Sequence, residues 1–139
     1  QYAHGNEPSH HIAYLYAYTN KPERGREIIT QICNQFYNNT PTGMIGNDDC
    51  GQMSAWYIFS TIGFYPVNPG NATFVIGQPQ AKKAIIHISD TASITIIATD
   101  LLTKTENVNV YWNKTLIQGN ELKYEELRKG GELSFQSIR

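Results

Sequence analysis

The spacing of apolar residues changes period once along this chain, and that change limits the folds open to it. Residues 8–63 carry helical spacing, whereas from about residue 72 the apolar and β-branched residues come in short alternating runs. Pro8 stands where a first-turn proline belongs, with Asn6 and Glu7 ahead of it as cap and N-terminal acid. The run from Ile12 to Tyr18 is apolar nearly all round, which predicts a helix buried on every side. Asn20 ends it. Pro22 and Glu23 open a second helix, whose Ile28, Ile29, Ile32, Cys33 and Phe36 form one buried stripe. Asn38 to Gly46 is turn chemistry. Asp49 then reads as the N-cap of a third helix carrying Met53, Trp56, Tyr57, Phe59, Ser60 and Ile62, stopped by Gly63.

Past the join at Tyr65 to Gly70, the runs 74–76, 83–88, 93–98, 107–112 and 132–135 predict strands. Ile94 to Ile97 and Val108 to Tyr111 alternate as half-buried antiparallel strands do. The expected fold class is therefore α+β, with three helices followed by a small antiparallel β-module. A sheet of about 70 residues is marginal alone, so it should lean on the helices or on sequence outside the chain.

Charge excludes one class of partner. Eleven Lys and Arg against twelve Asp and Glu leave a net charge of −1 with no basic stripe, so nucleic-acid binding through counterion release has no footprint. No apolar run reaches the roughly 18 residues of a membrane span. The chain opens on Gln1 in dense, motif-like sequence without a signal segment, the expected look of a piece of a longer protein. Cys33 and Cys50 do not make a disulfide framework and are expected as two buried free thiols. Asn38-Asn39-Thr40, Asn71-Ala72-Thr73 and Asn113-Lys114-Thr115 match the glycosylation sequon, which matters only in a eukaryotic secretory setting.

Polar groups gather in two loops that each lead into a predicted helix: His4 to His11, and Gly46 to Gln52. If the two helices are neighbours in one bundle, both loops open on one end of it, where function concentrates. The first loop holds His4, His10, His11 and Glu7, but at no zinc spacing. Oxygen donors from Asn6 and Glu7 suit a hard cation such as calcium better. The competing reading is plain helix capping with hydrogen-bonded histidines. In the second loop Asp48 and Asp49 point in different directions, so one can cap while the other faces a cleft. A carboxylate at a helix N-terminus stays ionised, which suits a base activating water. Here too an ordinary N-cap with a solvated neighbour explains the pair. Trp56 and Tyr57 have the chemistry to stack on a sugar, although mid-helix aromatics are more often core.

These segments carry a resemblance. Gly5-Asn6-Glu7-Pro8-Ser9-His10-His11 with Ala13-Tyr14-Leu15-Tyr16, then Asn39-Thr40-Pro41 and the run Gly46 to Tyr57, resemble the glycoside hydrolase family 92 α-mannosidases. Phe64-Tyr65-Pro66-Val67, Pro69-Gly70 and Val75-Ile76-Gly77 with Pro79 continue the match over most of residues 1–79. The resemblance implies exo-acting, calcium-dependent, inverting enzymes that pair a β-sandwich domain with an (α/α)6 barrel. On it, residues 1–70 are the last helices of that barrel and 71–139 a β-sheet or sandwich module. Asp49 matches the base-side aspartate and Asp48 ranks second. Asn6 and Glu7 match the segment around the Ca2+ ion, while His4, Gly5, His10 and His11 lie near the sugar. The family's acid is a Glu in an upstream motif that this chain does not contain. Gly5 stands where α-1,2-specific members carry a carboxylate, so that linkage is not implied.

The implied substrate is a mannose-containing glycan, as in N-glycan degradation. The implied partners are the missing β-sandwich and remaining barrel of the same protein, and the implied location is secreted, periplasmic or cell-surface. Two other readings compete: a non-catalytic carbohydrate-binding or structural module, and a phosphorolytic barrel enzyme.

Overall fold

The structure, a computed structural model, describes residues 2–99 and 108–138. Two short 3₁₀ helices, Glu7–Ser9 and Ile12–Tyr18, open the chain. Helix α1 spans Pro22–Phe36 and α2 spans Gln52–Ile62, as their apolar spacing predicts. Among the described residues, eight strands and two short helices follow: β1 Phe64–Tyr65, a 3₁₀ turn Pro69–Asn71, β2 Thr73–Ile76, β3 Lys83–His87, β4 Ser93–Ile97, β5 Val108–Trp112, β6 Thr115–Leu116, β7 Glu121–Lys123, α3 Tyr124–Leu127 and β8 Gly131–Ser137. The α+β expectation holds. Of the strand expected over 107–112, Asn107 lies outside the described residues.

The first expected helix is corrected. Residues 12–18 are 3₁₀, and only Ala13 and Tyr14 are buried among them. Three residues per turn bring Ile12, Leu15 and Tyr18 into one row, and that row faces outward, 40%, 42% and 56% exposed. Apolar composition all round did not guarantee burial all round, because only the Ala13–Tyr14 side meets α1. The approach there is close. A side chain at Gly25 would put Cβ 2.8 Å from Tyr16 Cβ and 2.9 Å from the Ala13 carbonyl oxygen.

Helix α1 starts at Pro22 and Glu23, buries Gly25, Ile29, Ile32 and Cys33 on one face, and ends as Tyr37 turns extended. Helix α2 runs between two left-handed glycines, Gly51 and Gly63. The Gly63 amide donates to the carbonyls of Phe59 and Ser60, closing the last turn. Cys33 is buried but Cys50 is exposed, so the expectation of two buried thiols is half corrected; both are free.

The strands form two sheets, β1-β2-β7 and β3-β4-β8-β5-β6. Among the described residues every pairing is antiparallel except β4 with β8, which run parallel, Ile94 opposite Gly131 and Ile96 opposite Leu133. The expected purely antiparallel module misses this because β8 comes from far along the chain and inserts between β4 and β5. Strand β6 and the β5–β6 hairpin also escape the sequence pattern. Asn113 and Lys114 both take positive φ, the two-residue turn a hairpin favours.

Two cores result. Ala13, Tyr14, Ile29, Ile32, Cys33, Trp56, Tyr65 and Val75 bury between the helices and β1–β2. Phe64, Ile94, Ile96, Ala98, Leu122, Leu127, Leu133 and Phe135 bury between the sheets. Strand β1 contributes to both, Tyr65 to one and Phe64 to the other, and Phe59 of α2 packs on each. No described helix is long and apolar enough to cross a membrane.

Gly25→Ala tests the helix contact. Overpacking of this kind costs about 1–3 kcal/mol, so the variant should lower the midpoint of urea unfolding, whereas Ala substitution at exposed Gln31 of the same helix should not.

Candidate functional site

Each polar loop is set in place by the buried aromatic layer beneath it. His4 is buried between two tyrosines. The Tyr37 hydroxyl donates to the Met53 carbonyl at 3.1 Å, so at 2.7 Å from His4 Nε2 it must accept, and Nε2 carries the proton. His4 Nδ1 is then the acceptor for the Tyr2 hydroxyl, also at 2.7 Å. Burial, and secondarily His10, push the His4 imidazole down to about 4. His10, equally buried, lies 3.0 Å from the His4 carbonyl through Nε2, while its Nδ1 faces the Gln52 side-chain amide at 3.2 Å. Gln52 Nε2 can only donate, so Nδ1 accepts and Nε2 donates. The two rings stack with centroids 4.9 Å apart, and His4 also meets Trp56 edge-on at 4.4 Å. All four ring nitrogens are engaged by protein.

This network anchors the first loop. Ser9 Oγ donates back to the carbonyls of Ala3 and Asn6, and Trp56 Nε1 donates to the His10 carbonyl at 3.0 Å. Gly5, Asn6 and His11 remain exposed, and Glu7 is half-buried. The backbone of Gly5 lies against Gly46: a Cβ on Gly46 would sit 3.6 Å from Gly5 Cα. The two loops therefore touch.

The second loop corrects the expected cap. Helix α2 begins at Gln52 with Gly51 as its N-cap, and Asp49 does not cap with its side chain. Asp48 does. Its Oδ1 accepts from the Ser54 amide and its Oδ2 from the Ser54 hydroxyl, both at 2.8 Å. The Met53 amide donates to the Asp48 carbonyl and the Gln52 amide to the Asp49 carbonyl, each at 3.2 Å. The free amides of the first turn are thus met by the preceding loop. Asp49, Cys50 and Gly51 all take positive φ, 42°, 58° and 90°. Such a run is costly for non-glycine residues, and it carries the Asp49 side chain away from the helix.

Asp49 faces Glu7 instead. Glu7 raises the Asp49 carboxyl above the usual range, first through a side-chain hydrogen bond and then through like charge. Glu7 is held below its usual range by its own backbone amide and by Asp49. One Glu7 oxygen, Oε1, is shielded from solvent with no hydrogen-bond partner. Among the described residues no cluster of three or more His, Cys, Asp or Glu is arranged to hold a metal. A cleft of about 810 Å³ runs between the Asn38–Gly46 loop and α2, lined by Tyr37, Asn39, Ser54, Tyr57 and Ile58; neither Glu7 nor Asp49 lines it. Trp56 is wholly buried core, whereas Tyr57 is 37% exposed and stacks on Tyr37 at 4.5 Å.

The structure therefore brings Asn6, Glu7, Asp48 and Asp49 to one place and sets His4 and His10 beneath it. Sequence reasoning missed Tyr37 and Ser54, and placed Gln52 in the second polar loop without a role. Ser54 lies six residues past Asp48, beyond the usual capping-box spacing, and Tyr37 meets His4 across 33 residues, which no local pattern reveals.

Comparison with known proteins points one way. Residues 1–137 match the family model described as the glycosyl hydrolase family 92 catalytic domain. The chain is similar to a family GH92 alpha-mannosidase of Bacteroides thetaiotaomicron, at 42% identity and a TM-score of 0.86, over 95% of this chain and 18% of that one. It is similar to a family GH92 inverting mannosidase of the same organism, at 36% identity and a TM-score of 0.85, over 97% of this chain and 18% of that one. An "uncharacterized secreted glycosidase" of Arthroderma benhamiae is 30% identical over 135 residues, 93% of this chain and 17% of that protein. The chain spans less than a fifth of the length of each of these relatives.

The buried imidazole gives a pH signature. Between the ordinary value of 6.5 and about 4, the unfolded chain binds a proton at His4 that the folded one refuses. Stability should fall as pH drops through that window and level off with respect to His4 below about 4. Urea midpoints taken across it should decline less steeply for a folded His4→Gln variant than for the parent. Parallel curves would show that His4 does not contribute.

Proposed function

The chain belongs to glycosyl hydrolase family 92, and from that premise we propose that it is part of an inverting, calcium-dependent α-mannosidase. The whole protein removes terminal α-linked mannose from glycans, a reaction of N-glycan degradation, and acts outside the cytoplasm: secreted, periplasmic or at the cell surface. Residues 1–70 are the closing helices of its (α/α)6 barrel and residues 71–139 a β-module. Asp49 serves as the base, Asn6 and Glu7 as part of the calcium site, and the acid comes from elsewhere in the same polypeptide. The names of the similar proteins, an alpha-mannosidase, an inverting mannosidase and a secreted glycosidase, support the reaction and the location.

The observation that carries the residue assignment is the displacement of Asp49 from the helix cap onto Glu7. A carboxylate excused from capping and set at the junction of two loops is available for chemistry, whereas Asp48 has both oxygens committed to Ser54. Inversion needs a base on one face of the sugar and an acid on the other, with carboxyls roughly 6.5–9.5 Å apart to admit water. Asp48 and Asp49 are neighbours in the chain and cannot divide those two roles easily, which supports an acid from outside it. Asp49 would take the proton of the attacking water.

The residues present fit a hard cation. Glu7 leaves one oxygen shielded and unpartnered, and the Asp49 carboxyl lies close enough to perturb it, an arrangement that a cation held between them would relieve. The donors are oxygens, whereas the buried imidazole nitrogens are already engaged. Calcium takes about six to eight oxygens, so Asn6 and Glu7 would supply part of the shell and the rest of the protein the remainder. Bound there, the ion would supply a fixed positive charge for sugar hydroxyls. Exposed Gly5 and His11 flank this place, while His4 and His10 support it from below.

Mannose release from mixed α-mannosides by the full-length protein tests the proposal. A chelator should abolish release and added calcium restore it. Asp49→Asn should lower kcat by on the order of 10³-fold without unfolding the protein. Phosphate-dependent release of mannose 1-phosphate would instead identify a phosphorolytic enzyme, and no release by the folded full-length protein would favour a binding module.

A further inference from the structure

The two aspartates of the second loop do different work, and the division can be read from their hydrogen bonds. Three amides at the start of α2 are met by the loop: the Gln52 amide by the Asp49 carbonyl, the Met53 amide by the Asp48 carbonyl, and the Ser54 amide by Asp48 Oδ1. Asp48 Oδ2 accepts the Ser54 hydroxyl as well, so this carboxylate is held at two points on one residue. Between Asp48 and the helix the backbone takes three consecutive positive φ values. Non-glycine residues hold such a conformation only when the surroundings fix it. The Asp48–Ser54 clamp spans the strained segment from one side to the other.

We propose, building on the mannosidase reading, that Asp48 is a positioning residue whose clamp on Ser54 holds the Asp49–Cys50–Gly51 segment left-handed and so aims the Asp49 carboxyl at the reacting water. Asp48 is not a second base. Each of its oxygens accepts a bond from Ser54, which fixes the carboxylate on α2. Without the clamp, the segment relaxes to ordinary backbone, and the side chain now at Asp49 becomes free to cap the helix, as its place in the sequence would otherwise have it do.

Four variants of the full-length hydrolase separate the roles. Asp48→Asn keeps an oxygen for the Ser54 amide and should retain kcat within about tenfold, whereas Asp48→Ala should lose on the order of 10²-fold, the scale of a small misplacement of a reacting group. KM should move little in either. Ser54→Ala keeps the amide bond and loses only the hydroxyl one, so it should fall between them. The acidic limb of the kcat/KM profile should stay in place in Asp48→Asn, because the titrating base is still Asp49. Asp49→Asn should be the least active of the set.

An Asp48→Asn enzyme as inactive as Asp49→Asn, or one whose acidic limb has gone, would make Asp48 an ionised participant and overturn the positioning role while leaving the mannosidase reading intact. An Asp49→Asn enzyme with near-normal turnover would overturn the base assignment and the positioning role together. Because Asp48→Asn preserves the cap, misfolding of Asp48→Ala alone does not hide the answer.

Discussion

The indole of Trp56 is the point on which the helical half is assembled. It is wholly buried, it donates to the His10 carbonyl, and rings of His4, Tyr14, Tyr37 and Tyr65 meet it at centroid distances of 4.4–6.5 Å. Those contacts gather the N-terminal loop, the 3₁₀ segment, the end of α1 and the start of the sheet onto one face of α2. A large aromatic buries much apolar area and brings one polar handle that must be satisfied. Here the handle fixes the loop that bears Asn6 and Glu7. The same helix carries the Asp48–Asp49 loop at its N-terminus, so both polar clusters take their positions from α2.

The histidines of the first loop show how a residue type suited to ligation can be used for support instead. His4 accepts from one tyrosine and donates to another, which in turn donates to the Met53 carbonyl. His10 links the His4 carbonyl to Gln52. A buried network of this kind rigidifies when every member is satisfied and is costly when one is not. Its effect is to leave Glu7 and Asp49, rather than the imidazoles of His4 and His10, at the exposed junction of the loops. Two carboxyls placed together oppose each other, and that opposition is itself the feature that suits a cation.

The sheets obey a different logic. Alternation brings Ile94, Ile96, Leu133 and Phe135 inward without regard to strand direction, so β4 and β8 pair in parallel as readily as their neighbours pair antiparallel. Strand β1 is two residues long, yet its Phe64 and Tyr65 point into separate cores. Through it and through Phe59, the β-rich part and the helices brace each other. The outward row of Ile12, Leu15 and Tyr18 shows the converse: an apolar run is buried only where another element meets it.

Local chemistry settled a good part of this protein. Pro22 with the Ile29–Ile32–Cys33 stripe specified α1, Gly63 specified where α2 stops, and alternating runs specified β3, β4, β5 and β8, because these signals act through neighbours a few residues away. The two polar loops were legible for the same reason, and so was the family to which they belong. What the sequence could not rank was which aspartate caps and which is displaced, since both are good N-caps and the outcome depends on Ser54 and on a strained turn. Nor could it show His4 between Tyr2 and Tyr37, the parallel β4–β8 pair, or the 3₁₀ winding of residues 12–18. Those were decided by contacts between distant segments, whose energies exist only once the chain has brought them together.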